Sequence, residues 1–238
     1  GSEMCIRDRI MIVETMTDDE IFEELIQVAV ELLKEDYIGD KYIEKPMTEK
    51  IKRKKSTCIS PYPIEGKISI NTFRNNISVQ AYCYCLSANK LKWKIALVAS
   101  FFVGNNIKRY AIFEYDEYSL KPRILLLSDH FIKRYRERKL NDISIGYDDV
   151  VMDFVKNGGC CVMPIEQNVQ SCKLTDTECE AKPEYFAKSG DTYVFACGSI
   201  DKIIFKTAIT KEMLYANQES LVNQLEYLAY RAQLYRLN

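Results

Sequence analysis

Apolar positions early in the chain recur at helical spacing. Ile21, Leu25, Val28 and Leu32 form one stripe, with Phe22, Ile26, Ala29 and Leu33 beside it, which predicts a helix buried on a wide face. Thr17 and Glu20 stand three apart just before it. That is the spacing of a capping box, in which the threonine accepts a backbone N–H and the glutamate reaches back. The helix is expected to end near Gly39. From Lys67 to Leu127 the period changes. KISINTF, NISVQAYCYCL, LKWKIALVASFFV, KRYAIFEYDEY and PRILLL are rich in β-branched and aromatic residues and are separated by RNN, SANK, GNN and SLKP, a pattern of strands and turns. Such short spacings predict an antiparallel meander. LKWKIALVASFF also fits a buried helix, because periodicity alone does not separate the two.

Two helices follow, SDHFIKRYRER and then YDDVVMDFVKNGG, the second stopping at Gly158-Gly159 as a helix C-cap would. Residues 160–191 read as an irregular, acidic surface excursion. DTYVFACGSIDKIIFKTAI then reads as a hairpin turning at Gly198–Asp201. Thr210 is expected to cap a closing helix, in which Leu214, Leu221, Leu228 and Tyr235 fall seven apart with Leu225 and Ala232 interleaved. Two uses of that stripe stand: packing within the chain, or a two-stranded homodimer contact over residues 211–236. The expected class is α+β: a mainly antiparallel sheet with an N-terminal helix, a central helix pair, a C-terminal hairpin and a long terminal helix. Residues 17–123 and 124–238 are the two expected regions, with one continuous domain as the alternative.

Residues 1–16 fit no element and read as a leader. Gly1-Ser2 looks like a cloning scar, and SEMCIRDR resembles translated adapter sequence left on assembled environmental reads. The net charge of -1 excludes a protein coated in positive charge, so any nucleic-acid contact must use a local patch. The longest apolar stretch, Ile95–Val103, is too short to span a bilayer. With no signal peptide visible, the reading is a cytoplasmic protein with no membrane partner. The nine cysteines (5, 58, 83, 85, 160, 161, 172, 179 and 197) are then expected as unbridged thiols. They contain no CxxC pair, so neither a metal site nor a cofactor is expected.

The candidate chemistry gathers on the first central helix, which carries the only histidine of the chain. With Ser128 as N-cap, His130 falls in the first turn, and His130, Arg134, Glu137 and Arg138 share a face at helical spacing. Phe131 and Tyr135 form the neighbouring apolar stripe. The helix dipole and Arg134 both favour neutral imidazole, as a general base requires, and Asp129 opposes them. Arg134 and Arg138 could hold a phosphate and stabilise the charge that develops on it. Glu137 would orient an arginine or act as acid or base. Lys133, Arg136 and Lys139 on the same helix, with Lys50, Lys52, Arg53, Lys54 and Lys55 of the KIKRKK run, would form a basic track for nucleic acid.

A helix with HxxxRxxER, a second helix ending in Gly and strands ending in FKTAIT resemble the HxxxRxxER domains. Those domains are of unassigned function and are themselves similar to the barnase–colicin–RelE group of bacterial endoribonuclease toxins. The resemblance covers roughly residues 124–210. It implies a site of His130, Arg134, Glu137 and Arg138, with Thr207 or Lys206 contributed by the last strand. Because side chains alternate along a strand, at most one of Lys206 and Thr207 is expected to face the helix. In the group the sheet follows both helices, whereas here strands also precede them.

Three functions are therefore expected in competition. The first is a metal-independent endoribonuclease acting on RNA phosphodiesters, associated with toxins or mobile elements. The second is a non-catalytic module on the same scaffold, binding nucleic acid or a protein such as an antitoxin. The third is an assembly protein that acts through its terminal helix.

Overall fold

The computed structural model describes residues 12, 15–34, 65–70, 77–87, 92–103, 107–115, 122–156, 161–165, 184–214 and 218–237. The class is α+β, with nine mostly antiparallel strands and four α-helices among the described residues. No helix among them is long and apolar enough to cross a membrane. The chain divides into two compact units, Gly1–Ile124 and Leu125–Asn238.

The first unit holds α1 (Asp18–Lys34), β1 (Glu65–Ile70), β2 (Ile77–Ser87), β3 (Lys92–Val103) and β4 (Ile107–Tyr115), each strand antiparallel to the next. The capping box forms: Thr17 N donates to the Glu20 carboxylate at 2.7 Å, and Glu20 N donates to Thr17 Oγ1 at 3.3 Å. The first of these bonds, together with the Thr17 hydroxyl donating to the same carboxylate at 3.0 Å, holds the Glu20 carboxyl below its ordinary range. At the start of α1 Asp18 pairs with Arg109 at 3.0 Å, and further along the Tyr115 hydroxyl donates to the Ala29 carbonyl at 3.1 Å. The anchors are about 17 Å apart on the helix and about 20 Å apart on the strand, so α1 runs beside β4 in the same direction. On the strand face bearing Arg109 and Tyr115, the cross-strand partners Val79, Ala99 and Ala111 form a fully buried row of small side chains. Such a row leaves room for the buried Leu25, Val28 and Ala29 of the helix. The segment LKWKIALVASFF, in its described residues from Lys92 on, is strand and not helix. Its ambiguity has a physical source, since Leu97, Val98 and Ala99 are all buried and the strand is apolar on both faces there. Ile12, within the segment set aside as a leader, is also buried.

In the second unit, β5 (Pro122–Leu127, crossing the boundary) leads through Ser128 into α2 (Asp129–Tyr135), a π-helical turn (Arg136–Leu140) and α3 (Tyr147–Lys156). β6 (Cys161–Pro164), β7 (Tyr185–Ser189), β8 (Thr192–Gly198), β9 (Lys202–Ile209), a 3₁₀ turn (Lys211–Met213) and α4 (Glu219–Leu237) complete it. The strand order is β5–β9–β8–β7–β6. Phe205 of β9 meets Phe131 of α2 at 5.5 Å and Phe154 of α3 at 5.9 Å, both edge-to-face. Ile209 of the same strand packs instead with Tyr193, Phe195 and Phe186 under Leu221, Val222 and Leu225 of α4.

Residues 205 and 209 would share a face in a regular strand. They do not here, because β9 carries a bulge. Phe195 pairs with Thr207 while the adjacent Ala196 pairs with Phe205, which leaves Lys206 as the extra residue.

Several expectations are corrected. Residues 161–164 and 185–189 are strands rather than irregular chain, and Ser189 and Thr192 flank a two-residue turn in which Gly190 takes φ 60°. Thr210 does not cap the closing helix. A 3₁₀ turn follows it, α4 begins only at Glu219, and Leu214 therefore lies outside the helix. Of the heptad stripe, Leu221 is buried while Leu228 is 43 % exposed. Described helix ends at Lys34 and Lys156 precede the expected stops at Gly39 and Gly158-Gly159, which lie outside the described residues.

The Gly198–Asp201 hairpin forms as expected, closed by Ser199 N to Lys202 O at 2.9 Å and Lys202 N to Ser199 O at 3.1 Å. Gly198 has φ 121°, and a Cβ there would stand 2.1 Å from the Lys202 carbonyl oxygen. Gly198→Ala is expected to cost at least ~2 kcal/mol, read as a lower urea midpoint. An unchanged midpoint would show that the turn relaxes freely.

Candidate functional site

Ser128 begins the site by joining helix to strand. Its hydroxyl accepts from Phe131 N at 3.0 Å, which makes it the N-cap of α2. The same hydroxyl lies 3.4 Å from the Lys206 carbonyl, and Ser128 N donates to the Phe205 carbonyl at 3.2 Å. The first turn of α2 is thus tied to β9 at its bulge. Phe131, Ile132 and Tyr135 are buried beneath the helix, and the Tyr135 hydroxyl donates to Asp153 of α3 at 2.9 Å.

This leaves the polar face directed away from the core. His130 is half-buried in the first turn and engages a protein neighbour. Arg134 follows one turn on and pairs with Glu137 at 3.0 Å. Beyond Tyr135 the chain winds into the π turn, where Asn141 N donates to the Arg136 carbonyl and Asn141 ends the turn in the left-handed region at φ 51°. α winding thus gives way to π winding before Arg138, whose side chain reaches β9. Its Nη1 donates to the Ala208 carbonyl at 2.9 Å and lies 3.4 Å from Thr207 Oγ1. Arg138 and the buried Thr207 are brought together; Lys206, the bulge residue, is half-buried and makes no ion pair among the described residues.

The other basic residues of the helix are held within the unit. Lys133 pairs with Asp129 at 2.6 Å, and Lys139 pairs with Asp191 of the β7–β8 turn. Arg136 donates to the Ile145 carbonyl at 3.3 Å, and its guanidinium lies 5.2 Å from the centre of the Tyr147 ring. Lys50, Lys52, Arg53, Lys54 and Lys55 lie outside the described residues, as do Cys5, Cys58, Cys160, Cys172 and Cys179. Cys197 is a half-buried thiol on β8.

Five participants have no assigned role in the sequence: Tyr147, Asp191, Lys188, Tyr193 and Glu226. Tyr147 donates its hydroxyl to Asp129, and its pKa is raised by burial first and by that bond second. Only the RYRER run of the motif helix hinted at an aromatic partner for an arginine. Asp191 is held below its ordinary range chiefly by its bond to Lys139, and it also feels Lys188. From there a charged chain continues to α4. Lys188 and the Tyr193 hydroxyl both donate to Glu226, at 3.0 and 2.8 Å. Burial raises the Tyr193 pKa, and the Lys188 and Tyr193 bonds lower that of Glu226. No local pattern announces pairs between residues 38 or more positions apart.

No protein-family profile, curated protein or solved structure matches the chain.

The depressed Glu226 carboxyl contributes stability above the ordinary carboxylate range, and that contribution is lost as pH falls through its lowered folded value. Glu226→Gln is accordingly expected to lower Tm at pH 7, with the gap to wild type closing below about pH 4. A gap that stayed constant from pH 7 to pH 3 would exclude titration of Glu226 as its source.

Proposed function

We propose that the second unit is a metal-independent endoribonuclease that acts on RNA phosphodiesters. One observation carries this reading: the helix bearing His130, Arg134 and Glu137 is bonded at both ends to β9, through Ser128 at the bulge and through Arg138 at Ala208 and Thr207. A histidine, two arginines and a strand hydroxyl on one braced frame supply the groups that cleavage of RNA needs.

In this reading His130 takes the proton of a ribose 2′-OH, and that oxygen attacks the adjacent phosphorus as the bond to the 5′ oxygen breaks. Arg134 holds the phosphate and stabilises its developing charge. Glu137, already bonded to Arg134, orients it, and the proton that His130 has taken is the one returned, through water, to the leaving 5′ oxygen. Arg138 keeps the strand residue Thr207 beside the helix. The resemblance to the endoribonuclease-like domains supports the same assignment.

Wild-type protein and a His130→Ala variant, each incubated with mixed single-stranded RNA across pH and salt, test the proposal. Cleavage by wild type, reduced about 10²–10⁴-fold in the variant, is expected. Arg138→Ala, which removes the bonds to Ala208 and Thr207, is expected to lose both cleavage and thermal stability. Binding without cleavage by wild type would favour the non-catalytic reading, and cleavage that survives in His130→Ala would remove His130 from the mechanism.

A further inference from the structure

We infer that Tyr147 is the platform on which a base of the bound RNA stacks, an assignment that rests on the RNA-directed reading above. Asp129, Lys133 and Arg136 follow one another at i, i+4 and i+7 along α2 and into the π turn. They form the helix face next to that of His130 and Arg134. Tyr147, the first residue of α3, lies against this neighbouring face. Its hydroxyl is bonded to Asp129, the residue before His130, and Arg136 covers its ring at 5.2 Å.

Each of these contacts restrains the ring. The Asp129 bond fixes its tip, and Asp129 is itself held by Lys133 at 2.6 Å. Arg136 is fixed in turn by the Ile145 carbonyl at 3.3 Å, in the loop that leads to Tyr147. A half-exposed aromatic ring held in this way loses little freedom when a planar partner stacks on it. Aromatic and guanidinium planes are what single-stranded RNA bases stack on. Asp129 and His130 are about 1.5 Å apart along the helix axis, and Arg134 is about 6 Å further on. A nucleotide whose phosphate meets Arg134 therefore has its base within reach of the Tyr147 ring. The preference is for an unpaired base of any identity, because stacking uses the face common to all four.

The test is binding by fluorescence anisotropy in a His130→Ala background, so that the strand stays intact. The probes are a short single-stranded RNA and the same strand with abasic positions, and thermal melts check the fold of each variant. Tyr147→Ala is expected to weaken binding of the intact strand about tenfold. Tyr147→Phe, which keeps the ring and loses only the Asp129 bond, should stay within about threefold. On the abasic strand the two variants and the parent should converge. If Tyr147→Ala binds the intact strand as tightly as the parent, or loses as much affinity on the abasic strand as on the intact one, the platform role is overturned. If the parent binds neither strand and wild type cleaves no RNA, the RNA-directed reading itself fails.

Discussion

One extra residue in β9 determines how the second unit is built. Without the bulge at Lys206, Phe205 and Ile209 would point the same way. With it, Phe205 enters the ring cluster of Phe131, Tyr135 and Phe154, and Ile209 enters the cluster beneath α4. Burying a side chain of this size contributes about 2–3 kcal/mol, and a one-residue slip would turn several of them outward together. The bulge is also where Ser128 meets the strand, so the start of the motif helix and the change of face in β9 are fixed at the same place.

That dependence separates what could be read in the sequence from what could not. The stripe and capping box of α1, the N-cap at Ser128 and the Gly198–Asp201 turn are local patterns, and each forms as read. The bulge and the π turn are set by pairing with distant chain, and neither has a residue signature of its own. A uniform helical period therefore missed the π turn that carries Arg138, and a uniform strand period missed the bulge at Lys206. The missed strand β7 has a different cause. YFAKS is short, and Phe186 and Ala187 are both fully buried, so it lacks the alternation that identifies a half-buried strand. Leu214 kept its place in a seven-residue rhythm although the helix begins five residues later.

The charges around the motif behave differently from the apolar contacts. Lys133–Asp129, Arg134–Glu137 and Lys139–Asp191 are all partly exposed pairs, a kind that contributes at most about 1 kcal/mol each. The helix is held by its buried side and by its two attachments to β9, not by these pairs. Its polar face can consequently change partners without loosening the frame. Arg134 is paired with Glu137 on a backbone fixed from the buried side. In the proposed function a phosphate oxygen would add a charge-assisted bond to the guanidinium that Glu137 orients, while the apolar packing that sets the geometry stays intact. In that reading a chain with a net charge of -1 would bind an anion without a broadly basic surface, because a few arginines on a rigid helix would supply the contacts.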